Sequence, residues 1–240
     1  MNKRFRSILV LWMLGFVVLF AGCARELQQR QAFVSFLQKE VIPRNSGILI
    51  PNKSMRNKFG IYATHYDVIV EYNKAMLEKV GRPLEKLQRE YQEALKPEAT
   101  VEERRTAIIK YREALQMIET TLDKVLATTE SEVAALDQPD ELKDVYILAV
   151  EKHVRAPARA VKAMIPATGE MMDKNLDLLD YITANRGKVE IKDGMIQVDR
   201  NKDKDHSTLA RLNEMQAEIL KKAQSIQSQH GEFTRQSVGK

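Results

Sequence analysis

The sequence predicts a mainly α protein, an elongated antiparallel helical bundle with coiled-coil-like long helices and one small β-hairpin at about residues 188–199. Three observations predict it. Only 10 Gly and 7 Pro occur among 240 residues, so regular elements should be long and turns few. Apolar residues recur at steps of three and four through most of the chain. One stretch around Asp193-Gly194 alternates with period two instead, which is typical of paired strands.

The first segment does not belong to this bundle. Lys3, Arg4 and Arg6 precede an apolar run from Ile8 to Ala21, the pattern of a secretory signal peptide. As a helix, this run of about 14 residues would span ~21 Å, which is short of the ~30 Å hydrocarbon core of a bilayer. We therefore expect residues 1–22 to be removed as a signal peptide.

Cys23 is the only cysteine and stands at the end of the apolar run, so no intramolecular disulfide can form. The segment Leu19-Phe20-Ala21-Gly22-Cys23 resembles the lipobox of bacterial lipoproteins, with Phe20 where Leu is commoner. The resemblance implies a diacylglyceryl thioether on Cys23 and an acyl group on its amine, and two or more acyl chains hold a protein stably at a membrane. The alternative is an ordinary signal peptide that is cut after Ala24.

The residue after the cysteine bears on localisation. Ala24 is not the Asp that retains lipoproteins at the inner membrane of enteric bacteria. This resemblance implies the periplasmic face of the outer membrane, for a Gram-negative source. Without its three leader cations, the chain's formal charge falls from +5 to about +2. This value is too small to indicate a nucleic-acid partner or an anionic surface.

The first half of the mature chain has the periodicity of helices. The pattern predicts one helix from Arg25 to about Val41 and another that is capped by Ser54. Gly81-Arg82-Pro83 interrupts the second helix without changing the phase of its buried stripe, which favours a kink or two nearly collinear helices. The stripe comprises Tyr62, Tyr66, Ile69, Asn73, Met76, Val80, Leu84, Leu87 and Tyr91.

The longest helix should begin at a capping box, Thr100 to Glu103, and continue without Gly or Pro to Leu136. Its apolar residues alternate at steps of three and four and should form a coiled-coil-like seam. They are Ile108, Tyr111, Leu115, Ile118, Leu122 and Val125.

Prolines and glycines punctuate the second half. Pro157 and Pro166 should divide the helical run from Glu141 to Asn185, and Asp193-Gly194 favours a type I′ hairpin turn. Asp205 or Ser207 should cap the last helix. We expect residues 23–230 to form a single helical periplasmic domain anchored at Cys23, with a flexible tail at 231–240.

Short motifs in the first third suggest a family. They are Gln29-Arg30-Gln31-Ala32-Phe33, Phe36-Leu37-Gln38, and Lys58-Phe59-Gly60 followed by Tyr62 and Tyr66. Together with Pro157 and Ile165-Pro166, they resemble the YiaF-like lipoproteins of enteric and related bacteria. The resemblance covers most of the mature chain. It implies a lipoprotein of the same helical kind and carries over no catalytic residue and no ligand.

No group of residues predicts a catalytic, metal or cofactor site. Asp199 to Asp205 imitates a calcium loop, but Lys204 replaces the turn glycine and Ala210 the bidentate Glu, which favours a solvated connector. His65 should be a partly buried, hydrogen-bonded histidine rather than a base or ligand. Asn73 could fix helix register, although a satisfied structural Asn is favoured. Tyr62, Tyr66, Tyr72 and Tyr91 could line a ligand groove, although core positions are favoured.

The function predicted from these observations is a structural or protein-interaction role for a membrane-anchored lipoprotein of the cell envelope, without enzymatic activity. Its partners would be the membrane, through lipid on Cys23, and a protein partner or a second copy of the chain. The alternative is a carrier or sensor that binds a lipid or cell-wall fragment in a groove between helices.

Overall fold

The computed structural model describes residues 24–45, 47–192, 194–204 and 206–238, with the backbone alone from 229. The predicted fold class, mainly α with one small hairpin, is confirmed. The helices are α1 (24–36), α2 (Lys53–Phe59), α3 (Tyr62–Met76), α4 (Arg82–Ala94), α5 (Val101–Ala134), α6 (Asp140–Val150), α7 (Ala156–Ala184) and α8 (Ser207–Val238). Three π-helical turns, Leu37–Val41, Leu77–Gly81 and Glu151–Arg155, follow α1, α3 and α6.

The predicted signal peptide and the predicted lipid attachment at Cys23 lie outside the described residues. Among those described, no helix combines the length and the apolar character that crossing a membrane requires.

The chain divides into two compact units. Unit 1 comprises Met1–Asn73 and Thr129–Val154, and unit 2 comprises Lys74–Thr128 and Arg155–Lys240. The chain therefore passes between the units three times. The prediction that residues 23–230 form a single domain stays a prediction.

An aromatic cluster forms the core of unit 1. Phe33 on α1 stacks on Tyr62 with 6.1 Å between ring centroids, and Phe36 meets Tyr66 edge-on at 5.1 Å. Phe59 at the end of α2 packs on both phenylalanines, at 5.4 and 4.9 Å. All five rings are buried, and α1 is thereby held against α2 and α3.

The boundary between α2 and α3 differs from the prediction of one helix capped by Ser54. Asn52 caps α2 instead, because its side-chain oxygen accepts a hydrogen bond from the Met55 amide at 3.0 Å. Gly60 ends α2 with φ +58°, a conformation that glycine adopts without steric cost. The phase of the apolar stripe from Tyr62 onward is nevertheless as predicted, since its members are buried or half-buried.

All six residues of the predicted seam of α5 are buried, and the five from Ile108 to Leu122 belong to the core of unit 2. They pack with residues of α7, such as Met172 and Ile182, and with Leu212 and Met215 of α8. The predicted capping box also forms, since Glu103 accepts from the Thr100 amide at 2.7 Å and the Thr100 hydroxyl accepts from the Glu103 amide at 3.2 Å.

Ion pairs fix the direction of α7 relative to α5. Arg105 pairs with Asp180, Arg112 with Asp173 at 2.9 Å, and Lys162 with Asp123 at 2.7 Å. As the residue number rises along α5, its partner's number falls by the same amount along α7. The two helices are therefore antiparallel, as the sequence predicts.

The predicted hairpin is confirmed. β1 (Val189–Lys192) pairs antiparallel with β2 (Met195–Val198), and Lys192 stands opposite Met195, which leaves a two-residue loop. Gly194 in this loop has φ +75°, the positive value that a primed turn requires. Asp193 lies outside the described residues.

Three details of the second half differ from expectation. Pro157 begins α7 as predicted, but Pro166 lies inside that helix and does not divide it. The carboxylate of Asp203, which was not among the predicted caps, accepts from the amides of Thr208 and Leu209 at the start of α8, both at 3.1 Å. Asp205, one of the two predicted caps, lies outside the described residues. The backbone of α8 remains helical to Val238, so part of the predicted tail at 231–240 has regular structure, and its flexibility stays a prediction.

Candidate functional site

The candidate site of unit 1 is a buried core of histidine and tyrosine side chains. We call it the histidine–tyrosine core, and it comprises His65, Tyr66, Tyr72, Tyr146 and His153. The tyrosines and His65 lie on α3 and α6, and His153 lies in the π-helical turn that follows α6. Polar groups at this depth need hydrogen-bond partners, so the bonds they make indicate what the core can do.

His65 is the histidine for which the sequence predicts partial burial. Its side chain is 8% exposed, and Nδ1 lies 3.0 Å from Nε2 of Gln138. The amide nitrogen can only donate, so Nδ1 accepts and the ring proton resides on Nε2. Burial lowers the pKa of His65, and the nearby Asp137 opposes this shift only in part. The predicted buried, hydrogen-bonded histidine is confirmed.

His153 has an equivalent role that sequence reasoning missed. Its Nε2 lies 2.8 Å from the carbonyl oxygen of Val41, so this nitrogen carries the proton and donates. Burial lowers the pKa of His153, and the positive charges of Lys152 and Arg44 lower it further. The hydrogen bond to Val41 raises this pKa but does not offset the burial. The signal was available, because His153 continues the buried positions Tyr146 and Ala149 at steps of three and four.

The π-helical turns supply acceptors for these bonds. The carbonyl of Val154 accepts from the Tyr72 hydroxyl at 3.0 Å, and that of His153 accepts from Asn73 Nδ2 at 3.4 Å. Val41, which accepts from His153, closes the π-helical turn after α1. Val41 is also the last residue of its helical run, and the carbonyls of a last helical turn have no partner within the helix.

Asn73 is the half-buried polar residue that the sequence indicates as a register device. Its Nδ2 also donates to the carbonyl of Ile69 at 2.9 Å. The side chain is thus satisfied within its own helix and also reaches the segment after α6. The same two hydrogen bonds therefore satisfy the Asn73 amide and fix the register of α3 against the segment after α6.

The two remaining tyrosines differ in their hydroxyl groups. The Tyr146 hydroxyl donates to the carbonyl of His65 at 2.7 Å. The Tyr66 hydroxyl has no partner among the described residues, although Tyr66 is completely buried. Desolvation raises the pKa of Tyr66 to about 12, so this phenol is neutral.

This core can hold helices in register, but its described contacts do not form a catalytic arrangement. The ring nitrogens of His65 and His153 meet an amide and a carbonyl, not a carboxylate that could orient a general base. No group of three metal-ligating side chains occurs among the described residues. The sequence left open whether four tyrosines line a ligand groove or pack in a core. Tyr62, Tyr66 and Tyr72 are buried, and Tyr91 packs against Tyr111 with 5.2 Å between ring centroids.

Unit 2 contains a separate cavity of about 460 Å³ between α5, α7, α8 and the hairpin. Its walls are mostly aliphatic, including Leu178, Ile182 and Ile196, and Arg104 is its cationic member. The Arg104 guanidinium donates to the carbonyls of Ala99 (3.2 Å) and Lys96 (2.9 Å). This cavity therefore offers a largely aliphatic space with Asn175 and Gln216 as polar members and one positive charge.

The acidic loop from Asp199 is used for structure. Asp203 is 1% exposed, and its carboxylate caps α8 and lies 3.9 Å from Lys188 Nζ. Burial alone would raise the pKa of Asp203, but hydrogen bonds from Thr208 and Leu209 and the charge of Lys188 lower it overall. The Asp203 oxygens, which a calcium ion in this loop would need, are thus engaged by the amide groups of a helix.

Fold and site together define a helical protein whose buried polar groups join helices. The chain belongs to the family described as "Protein of unknown function (DUF3053)", whose model matches residues 10–233. It is similar to the "Uncharacterized protein YiaF" of Escherichia coli strain K12, of Escherichia coli O157:H7 and of Shigella flexneri. Each is 24% identical over 182 residues, which cover 75% of this chain and 77% of the relative. The predicted YiaF-like resemblance is confirmed. No solved structure matches the chain.

Proposed function

We propose that this protein is a lipoprotein, anchored to the periplasmic face of the outer membrane through Cys23, that acts in the cell envelope by holding a protein partner and not by catalysis. The observation that carries the proposal is the position of Cys23, directly after the apolar run and directly before α1. Lipid attachment would explain why the single cysteine stands at the end of a signal-like apolar run.

The way in which α1 is held supports an anchoring role. Phe33, Phe36, Leu37 and Val41 are buried in unit 1, so the helix that follows Cys23 is part of a packed body. The proposed anchor would therefore connect directly to the packed helices of unit 1 and not to a flexible linker. Such a connection suits a protein that must keep a fixed distance from the membrane.

The non-catalytic part of the proposal is supported by the bonding of the histidine–tyrosine core. Its donors are directed to backbone carbonyls, which join helices and leave no acid–base pair facing a cleft in the described part of the chain. A protein partner or a second copy of the chain is the ligand class that long amphipathic helices fit best.

Metabolic labelling tests the anchor. Cells fed an alkyne-tagged fatty acid should label the wild-type protein, whereas Cys23→Ser should remain unlabelled. Equal labelling of both would contradict acylation at Cys23.

Membrane fractionation tests the localisation. The wild type should separate with the outer membrane, and Ala24→Asp should separate with the inner membrane if the enteric rule applies. A wild type that separates with inner-membrane markers would contradict the localisation.

A carrier of lipid or cell-wall fragments is the second candidate, and the cavity of unit 2 favours it. Its volume, its aliphatic walls and the charge of Arg104 suit an anionic amphiphile. Trp12 is the only tryptophan and lies in the predicted leader, so Ile196→Trp would place a single fluorophore at the cavity of the mature protein. A saturable change of its emission with a long-chain fatty acid would support the carrier function, and an unchanged spectrum would oppose it.

A further inference from the structure

The start of unit 1 exposes aliphatic side chains close to the predicted anchor. Leu27 on the first described turn of α1 is 44% exposed, and Ile61 between α2 and α3 is 61% exposed. Leu27 follows Cys23 by four residues in the sequence, and the described chain is helical from residue 24.

Two contacts place Leu27 and Ile61 in neighbouring stretches of surface. The hydroxyl of Tyr62 donates to Oε1 of Glu26 at 3.2 Å. The backbone of Gly60 packs so closely on the side chain of Gln29 that a Cβ at position 60 would collide with it. The segment 26–29 therefore contacts the segment 60–62, and each segment carries one of the exposed aliphatic residues.

The charge of the mature chain is concentrated in the same part of the sequence. Residues 24–66 contain seven Lys and Arg against two Glu, a formal charge of +5, which leaves −3 for residues 67–240. The small net charge of the mature chain hides this asymmetry. Arg25, Arg30 and Lys58 are the cations nearest in sequence to the exposed aliphatic residues.

We infer that Leu27, Ile61, Arg25, Arg30 and Lys58 form a membrane-docking surface that lies on a bilayer containing anionic phospholipid. The inference rests on the proposed lipid anchor, which would hold this end of unit 1 against the membrane. Aliphatic side chains flanked by Lys and Arg are the composition of segments that lie at the membrane interface, where the cations meet anionic headgroups. The anchor and the surface then fix the orientation of unit 1 together.

Site-specific fluorescence on the full-length, exported protein tests this inference. Acylation occupies the Cys23 sulfur, so Ile61→Cys and Leu27→Cys each provide the only free thiol for a polarity-sensitive dye. Leu148→Cys is the matched control, because Leu148 is 58% exposed and lies two helical positions from the buried Tyr146, on the opposite face of α6. The labelled proteins are reconstituted in vesicles of phosphatidylethanolamine and phosphatidylglycerol, with and without brominated acyl chains.

The dye at positions 27 and 61 should shift to shorter wavelength and lose at least half of its emission to brominated lipid, whereas the dye at position 148 should do neither. Replacing Lys58 with Glu should reduce the quenching at position 61. The mass of the same preparations reports acylation separately. If Cys23 is acylated but position 61 behaves like position 148, the docking surface is wrong and the anchor stands. If Cys23 carries no lipid, both proposals are wrong.

Discussion

The hydroxyl of Tyr146 on α6 donates a 2.7 Å hydrogen bond to the backbone carbonyl of His65 on α3, inside a core where the neighbouring Tyr66 hydroxyl has no described partner. The two phenols therefore have opposite effects on the free energy of unfolding. A satisfied buried hydroxyl stabilises the fold modestly, whereas an unsatisfied one lowers its stability by the cost of its desolvation.

The first prediction follows from this contrast. Tyr146→Phe should lower the free energy of unfolding by roughly 1 kcal/mol, because it removes one buried hydrogen bond. Tyr66→Phe should leave it unchanged or raise it, because it removes a group that has lost water without gaining a partner. Thermal unfolding followed by circular dichroism on the mature lipoprotein in detergent measures both. If Tyr66→Phe is the more damaging change, a partner of the Tyr66 hydroxyl has been missed.

The second prediction concerns pH. Burial lowers the pKa of both His65 and His153. As the pH falls, these two rings therefore gain a proton in the unfolded chain before they do so in the folded protein. The contribution of these two histidines to the free energy of unfolding should therefore be constant well above about pH 6.5 and fall as the pH decreases through that value, until the folded-state pKa values are reached.

His153→Gln separates this effect from general acid sensitivity. The glutamine amide can still donate to Val41 but cannot titrate, so the decline between about pH 6.5 and pH 5 should become shallower than in the wild type. Denaturant titrations at several pH values measure the slope. A His153→Gln protein with the wild-type slope would mean that this histidine does not titrate differently in the folded and unfolded states.

The third prediction concerns the seam of α5. Leu115→Ala should lower the free energy of unfolding by about 2–5 kcal/mol, since Leu115 is buried among α5, α7 and α8 and its loss leaves a cavity. Met117→Ala, two residues away and largely exposed, is the matched control and should have little effect. Equal losses for the two variants would show that the buried face of α5 has been assigned wrongly.

The fourth prediction concerns the cap of α8. Asp203→Ala should destabilise the protein and reduce its helix content, because two amides at the start of α8 lose their acceptor. The carboxylate of Asp199 accepts from the exposed amide of Asn201 and pairs with the exposed Lys202 at 3.4 Å. Because such exposed contacts contribute little to stability, Asp199→Ala should be nearly neutral. A chelator should leave the unfolding midpoint of the wild type unchanged, and a shift would instead assign a metal ion to this loop.

Periodicity and local chemistry were sufficient to predict several elements. The seam from Ile108 to Val125, the capping box at Thr100 and the hairpin at Gly194 depend on residues that are close in sequence, and each is found as predicted. The burial of His65 also followed from its place among tyrosines on one helix face.

The details that could not be predicted depend on competition or on distant contacts. Asn and Ser are both favourable N-cap residues, so the sequence alone does not decide between Asn52 and Ser54. The backbone conformation before α2 places Asn52 at the cap. The carboxylate of Asp203 reaches the start of α8 from four residues upstream and lies 3.9 Å from Lys188, which precedes the hairpin, so its position depends on the path of the chain around the hairpin. The bond from His153 to Val41 joins residues 112 positions apart, and no local pattern encodes such a contact.

The mass of the N-terminal peptide of the mature protein tests the proposed function most directly. The peptide from membranes of expressing cells should begin at Cys23 and carry a diacylglyceryl thioether on its sulfur and an acyl group on its amine. An unmodified N terminus after Ala24, or a Cys23 with a free thiol, would contradict the account, because no lipid would then hold α1 and unit 1 at the membrane.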